Sequence, residues 1–322
     1  MLSIEGTVGK PRWNMDRIIC FAAIFGLILI TTVFAILTEG KSISVVNLKI
    51  ISNQIIITAL VAIGMVFAFS CGALDMSAGG SIGLSAIAGG LIGLETGNFW
   101  VMVAGIVIVS MTIAAVKGFI AAYLTLPVFI VTIIFGSFLS AIGLVLLGNE
   151  TTLSLRSVVA VKDMTWINVA FLAGFYLLSL FLFNYTKIGK ASKLQGGNPL
   201  ASGQSGISAK KNIIMSFLMG GLGITLAAII TILKTKTVTA ATGGAIGNDV
   251  LVAIVLGGMP LSGGPRSKIS AALIGAATIT ILNNGLSVCN VSNDDIQIVR
   301  GVIFLAVVFI TSMSYRTKYL PR

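Results

Sequence analysis

Long apolar runs separated by short polar gaps make up most of this 322-residue chain. A helix needs roughly 20 apolar residues to cross the hydrocarbon core of a bilayer. A run in lipid must be helical, because the lipid offers no hydrogen-bond partner to an open backbone. The pattern therefore predicts an all-α, polytopic integral membrane bundle of about ten transmembrane helices. The ten predicted spans are 18–37, 54–71, 78–94, 99–123, 127–147, 165–183, 213–233, 246–258, 270–287 and 297–314.

Composition supports the membrane interpretation. The chain is 56% hydrophobic and only 10% charged, whereas soluble domains contain about 25% charged residues. A membrane β-barrel would show alternating segments of about 10 residues, and the runs here are continuous. The first run is too long for a cleaved signal peptide and no small-residue cleavage site follows it, so we predict that it is the first span. No polar stretch is long enough for a soluble catalytic domain, which predicts a single membrane domain over residues 1–322.

The positive charge of the chain predicts its orientation. Net charge is +11, and placing the N-terminus in the cytoplasm puts 14 of the 21 Lys and Arg residues on that side and 7 outside. Basic residues collect on the cytoplasmic side of membrane proteins, so the charge requires no nucleic-acid partner. Ten spans then make both termini cytoplasmic, with a tail at 1–17 and a large cytoplasmic loop at 186–212.

The sequence contains no histidine, and its cysteines (Cys20, Cys71 and Cys289) lie far apart. Zinc sites, haem ligation and His-based catalysis need such residues in closely spaced sets. We therefore expect no metal, no cofactor and no enzymatic activity in this chain.

Two acidic residues lie in or beside apolar runs, where charge is costly and usually marks function. Asp75 lies between the second and third runs, and Asp249 begins the eighth. Either carboxylate can alternatively serve as the N-cap of the helix that follows it. The sequence offers no basic residue inside an apolar run as an ion-pair partner for either acid.

Glycine pairs mark several span ends and breaks. Small residues let helices approach closely in a membrane, while broken helices at membrane depth line cavities. Packing is the interpretation for any single glycine, whereas the paired glycines point to a translocation path. The four pairs are Gly79 with Gly80, Gly243 with Gly244, Gly257 with Gly258, and Gly263 with Gly264.

The loop at 186–212 contains a helix start. Asn198 followed by Pro199 combines a preferred N-cap with a preferred first helical residue, and Gly203 and Gly206 limit the helix to a short one. A docking element at the cytoplasmic face and a merely solvated loop are both compatible with this spacing. The segment 261–265 resembles the signature peptide of ATP-binding cassettes. A nucleotide site would also need a Gly-x-x-x-x-Gly-Lys-Ser/Thr motif, which the sequence does not contain. We predict a cytoplasmic turn there and no ATP binding by the chain itself.

Four segments together resemble the permease subunits of bacterial ABC sugar importers, the family of ribose, xylose, galactose and autoinducer-2 permeases. Residues 72–77 are similar to the family's Gly-Ile-Asp-Leu-Ser motif, and 196–207 to its coupling loop. Residues 253–264 are similar to its Gly-Gly-x-x-Leu-x-Gly-Gly element, and 274–286 to its ninth span. The chain departs from the family's usual pattern at three positions. The family usually has a Glu after the coupling Asn, where this chain has Pro199. It commonly has an Arg at the position of Gly203 and a Glu at the position of Gly247.

The resemblance implies a passive gate in the bacterial cytoplasmic membrane. Two permease chains, identical or different, would pair across the membrane, two ATPase subunits would dock on the coupling loop, and an extracytoplasmic binding protein would deliver a simple sugar. Docking residues would be Asn198, Pro199, Ala201, Ser205, Gly206 and Ile207. The sugar path would need hydroxyl and amide groups rather than charge, for which the candidates are Ser77, Ser81, Thr278, Asn283 and Asn284, with helix–helix hydrogen bonding as the alternative role for each. Asp75 and Asp249 are further path candidates because of their charge, with N-capping as the alternative. Structural glycines would be Gly79, Gly80, Gly257, Gly258, Gly263 and Gly264.

Two other classes of function compete with this one. An ion-coupled secondary transporter of a small polar solute would need protonatable residues within its spans, and the sequence provides only two acids. A membrane-embedded enzyme would need a nucleophile, a base or a metal constellation, which the sequence does not show.

Overall fold

The structure is a computed structural model, and it describes residues 15–124, 126–160 and 165–316. Helices dominate these residues, and the two short strands form one antiparallel ribbon. A 3-10 turn at Lys41–Ile43 joins the first two helices. The helices are α1 (Met15–Leu37), α2 (Val45–Ser70), α3 (Ala78–Thr96), α4 (Phe99–Tyr123), α5 (Val128–Leu147), α6 (Thr165–Tyr185), α7 (Lys187–Gly197), α8 (Pro199–Gln204), α9 (Ala209–Thr235), α10 (Ile246–Leu256), α11 (Ile269–Val288) and α12 (Asn293–Arg316); the strands are β1 (Thr152–Ser154) and β2 (Thr237–Thr239).

The all-α membrane class is confirmed. Each predicted apolar run coincides with one helix of the structure. Within the described residues, seven helices are long and apolar enough to cross a bilayer, namely α2, α3, α4, α5, α6, α9 and α11. The total of about ten spans and the cytoplasmic location of both termini stay predictions, and residues 1–14 of the predicted tail lie outside the described residues.

The centre of the bundle is α2, which packs against α9. Its stretch from Ala59 to Phe69 is buried on every side, as expected for a helix that is apolar all round. Close approach depends on glycines. A Cβ on Gly64 would come within 2.7 Å of the Met219 carbonyl oxygen, and one on Gly223 would overlap the backbone of Leu60. By contrast, α5 leaves large apolar side chains such as Val145 exposed, as a lipid-facing helix does.

Helix α10 is much shorter than its neighbours. Its 11 residues span about 16 Å at 1.5 Å per residue, roughly half of a hydrocarbon core about 30 Å thick. The predicted span at 246–258 is therefore not a full crossing helix. The non-helical backbone before it packs on α3, where a Cβ on Gly79 would lie 2.6 Å from the Gly243 carbonyl oxygen and one on Gly83 would lie 2.7 Å from that of Thr242.

The β-ribbon caps the same region. Strand β1 pairs with β2 in the register Leu153 opposite Val238, and Val238 is fully buried. Leu153 and Leu155 lie against α3 at Gly90, where a Cβ would meet their side chains at 3.1–3.2 Å. The ribbon thus ties the loops before α6 and α10 to α3.

Candidate functional site: two polar cavities and a groove beside α7 and α8

A buried ion pair joins the break between α2 and α3 to α4. Lys117 Nζ donates to Asp75 Oδ2 at 2.8 Å, to Ser77 Oγ at 2.8 Å and to Ser81 Oγ at 3.1 Å. Asp75 Oδ1 accepts from the backbone N–H of Ser77 at 2.8 Å and from its hydroxyl at 2.6 Å. All four residues are at most 3% exposed. The three ammonium donors and both carboxylate oxygens are therefore satisfied within the protein.

This ion pair corrects two expectations. A basic residue does lie inside an apolar run, because Lys117 belongs to α4. Asp75 is not an N-cap, because Ser77 occupies that position of α3. Asp75 instead holds the extended residues before α3, together with Thr132 of α5. The Thr132 hydroxyl donates to the Leu74 carbonyl at 3.1 Å and accepts from the Met76 N–H at 3.2 Å.

A second cluster forms where α10, α11 and α12 meet. One oxygen of Asp249 accepts from the guanidinium of Arg300 on α12, and the other accepts from Asn283 Nδ2 on α11 at 3.2 Å. Arg300 is also a basic residue within a predicted apolar run, so the expectation that Asp249 has no ion-pair partner is wrong. Asp249 is the fourth residue of α10 and lies in its first turn, so it does not begin or cap the helix.

Two cavities border this cluster, and Asp249 lines both. The larger, of about 420 Å³, lies between α10 and α12, within the roughly 300–1,000 Å³ range of small-molecule sites. The smaller, of about 220 Å³, lies between α2, α10 and α11. Amide side chains line both cavities beside apolar ones, and the smaller cavity adds threonine hydroxyls. The polar lining comprises Asn248, Asp249, Gln297 and Arg300 in the larger cavity and Gln54, Thr58, Asp249, Thr280 and Asn283 in the smaller.

The remaining path candidates bond within the helix packing. Asn284 and Asn47 exchange two amide hydrogen bonds, of 2.7 and 3.0 Å, between α11 and the start of α2. Thr278 donates to the carbonyl of Ile274 in its own helix at 2.8 Å. Neither Asn284 nor Thr278 lines one of the two cavities. A role in translocation stays a prediction for all seven candidates, of which Asp249 and Asn283 lie in the walls of these two cavities.

The coupling segment forms the predicted short helix. Asn198 is the N-cap of α8, its Oδ1 accepts from the Ala201 N–H at 3.1 Å, and Pro199 is the first helical residue. The helix ends at Gln204 with Ser205 as its C-cap, and Gly206 follows with φ +78°. Ile207 N–H then closes on the Ser202 carbonyl at 3.2 Å.

A groove of about 590 Å³ separates α7 and α8 from the turn at 260–266. The turn that was predicted at 261–265 is present. Its Gly264 N–H donates to the carbonyl of Ser70, the last residue of α2, at 2.9 Å. A Cβ on Gly196 of α7 would overlap that same Ser70 carbonyl and approach Gly264 N at 2.7 Å. The groove is therefore built directly on the end of the central helix.

Side-chain bonds fix α7 in this position. Asn212 of α9 donates to Gln195 Oε1 at 2.7 Å and to Cys71 Sγ at 3.2 Å. Lys193 donates to Asn184 Oδ1 at 2.9 Å, and partial burial lowers the pKa of its ammonium group. Helix α7 thus contacts both α2 and α9.

The six predicted structural glycines occupy crowded or left-handed positions. A Cβ on Gly79, Gly80, Gly257 or Gly263 would overlap backbone atoms of a neighbouring segment. Gly258 and Gly264 have φ near +90°, and Gly263 has φ +68°, a region that favours glycine.

A bundle of apolar helices with polar cavities between them is the architecture expected of a membrane permease. Residues 47–308 match the family of branched-chain amino acid transport system permease components. The chain belongs to this family and is a multi-pass membrane protein.

Its relatives include permeases of bacterial sugar import systems, as the resemblance implied. The chain is similar to the ribose import permease protein RbsC of Escherichia coli strain K12, with 30% identity over 279 residues that cover 82% of this chain and 85% of that protein. It is 26% identical to the L-arabinose transport system permease protein AraH of the same strain over 327 residues, 96% of each chain. It is 25% identical to the xylose transport system permease protein XylH of Haemophilus influenzae over 363 residues, 90% of this chain and 95% of that protein.

Proposed function

We propose that this chain is the permease subunit of an ATP-driven importer and forms the path of a neutral simple sugar through the bacterial cytoplasmic membrane. The observation that carries the proposal is the 30% identity to a ribose import permease along most of both chains. The polar lining of the two cavities agrees with it, because amides and hydroxyls bind the hydroxyl groups of an uncharged solute.

The energy would enter through α8. An ATPase subunit would dock on this helix, on which Leu200 is 76% exposed. It would also contact the groove beside the helix. ATP-driven closure of two such subunits would push α7 and α8 against the turn at 260–266. Because that turn and α7 both contact Ser70, the push would reach α2 and bias the bundle between two openings.

The other partners follow from the same proposal. A binding protein would deliver the sugar from outside the cell, and a second permease chain, identical or different, would complete the path. ATP hydrolysis would belong to the ATPase, so this chain would not itself be an enzyme. Ion-coupled secondary transport is less well supported, because both acids inside the bundle are held in ion pairs, with Lys117 and Arg300.

Reconstitution with the ATPase and binding protein tests the proposal. The complex in lipid vesicles should take up a sugar such as ribose, arabinose or xylose only when ATP and the binding protein are present. Uptake by the chain alone at the full rate, or uptake that survives ATP depletion and collapses with an uncoupler, would refute it.

One variant pair tests the docking role. Gly206→Glu places a charged side chain on the coupling segment and should abolish ATP-driven uptake while leaving the protein in the membrane. Gly97→Glu is the matched control, because Gly97 is also exposed, has φ +62° and has open space around it, but lies at the other end of the bundle. Normal transport by Gly206→Glu would remove α8 from the ATPase interface.

A further inference from the structure

The contact between Asp249 and Arg300 lies in the wall between the two cavities. Asp249 lines both cavities, Arg300 lines only the larger and Asn283 lines only the smaller. Because Asp249 belongs to both linings, a path from one cavity to the other would lead past these three side chains. They come from three different helices, so their contacts also depend on how α10, α11 and α12 are placed.

The cluster has unused hydrogen-bonding capacity. Among the described residues, Arg300 Nε and Asn283 Oδ1 are buried and find no hydrogen-bond partner. Buried polar atoms without a partner are rare in folded proteins and need an explanation. One is a donor and the other an acceptor, and they flank the same carboxylate.

A polyhydroxylated solute matches this arrangement. Each hydroxyl group both donates and accepts, so neighbouring hydroxyls can donate to Asp249 and Asn283 Oδ1 and accept from Arg300. The solute must be uncharged, because the carboxylate and the guanidinium already balance one another and an added charge would stay uncompensated in a low-dielectric site. Gln297 and Asn248 extend the polar lining on one side, and Thr280 on the other.

Resting on the proposed function, we propose that Asp249, Arg300 and Asn283 form a hydroxyl-binding gate for a neutral polyol. In this conformation the gate is closed by the contacts of Asp249 with Arg300 and Asn283. Solute hydroxyls replace these contacts one by one, so the charges stay hydrogen-bonded as the sugar passes between the cavities. Arg300 is the moving part, because its long side chain can turn within the larger cavity.

The test uses the complete transporter in vesicles and counts sugar molecules imported per ATP hydrolysed. Arg300→Gln should lower this ratio about tenfold or more, the effect of losing a charged hydrogen bond, while ATP hydrolysis stimulated by the binding protein continues. Arg156→Gln is the matched control, because Arg156 is an exposed arginine outside the cluster, and it should import normally.

A second variant separates binding from folding. Asp249→Leu with Arg300→Met replaces the ion pair by apolar side chains, a change that proteins usually tolerate in stability. If the pair is only structural, this double variant will import nearly as well as the wild type, which would overturn the gate. If the pair binds hydroxyls, the double variant will assemble with the ATPase and import at one tenth of the wild-type ratio or less. Arg300→Lys retains the charge but lacks Nε, and it should show an intermediate ratio.

The solute panel distinguishes the two proposals. It contains ribose, arabinose, xylose and leucine, a zwitterion that could pair its own charges with Asp249 and Arg300. Wild-type import of leucine and of none of the sugars would refute the proposed function and the polyol gate together. Wild-type import of a sugar with undiminished import by the double variant would refute the gate alone.

Discussion

Replacing Lys117 by methionine should destabilise the bundle strongly. Lys117→Met leaves the Asp75 carboxylate buried at 3% exposure without its cation, and it removes a donor from Ser77 and Ser81. Breaking a buried ion pair on one side costs about 3–5 kcal/mol. For a large chain, Tm falls by roughly 2 °C for each kcal/mol lost from the free energy of unfolding. The broken ion pair therefore predicts a fall in Tm of roughly 6–10 °C.

The assay is thermal unfolding of the purified chain in detergent, followed by the loss of monodisperse protein. Asp75→Leu combined with Lys117→Met should recover most of the loss, because it removes both charges and fills the site with apolar groups. Lys190→Met, at an exposed position on α7, is the matched control and should change Tm by less than about 1 °C. If Lys117→Met unfolds at the control temperature, the ion pair does not hold the α2–α3 break and the reasoning from its burial is wrong.

Two further predictions concern packing contacts. Asn284→Leu should cost about 1–3 kcal/mol, because it leaves Asn47 Oδ1 buried without its amide partner, and Asn47→Leu in the same chain should recover part of the lost Tm. Gly196→Ala should impair both Tm and ATP-coupled uptake, since its Cβ would overlap the Ser70 carbonyl. Gly174→Ala, on α6 with open space around it, should leave both unchanged, and equal behaviour of the two variants would contradict the account of the groove.

The sequence predicted the elements well and the charge pairing badly. Hydropathy located the helices because each must bury its own backbone in lipid, and Asn198 with Pro199 predicted α8 because N-capping is a local property. The partners of Asp75 and Asp249 lie 42 and 51 residues away in sequence, and no local pattern encodes such a contact. A signal did exist, since Lys117 and Arg300 each stand inside an apolar run, where a cation needs a partner.

Local sequence pattern also could not predict the cavities or the β-ribbon. Strands β1 and β2 have three residues each and pair across 85 positions, Leu153 with Val238, so neither shows a useful alternation. The start of α2 was placed at residue 54, although the helix begins at Val45. The residues between include polar Asn47 and Lys49, which lower the hydropathy of a segment that the fold nevertheless makes helical.

The shortness of α10 has a consequence for how the chain is made. An 11-residue helix cannot leave the ribosome and settle across the bilayer unaided, and the turn before it exposes carbonyl groups that lipid would not solvate. The surface of α3 at Gly79 and Gly83 shields that backbone, so α3 must already be in place when α10 emerges. The placement of α10 therefore depends on α3, and a substitution that fills Gly79 or Gly83 should leave the backbone before α10 without its cover in the membrane.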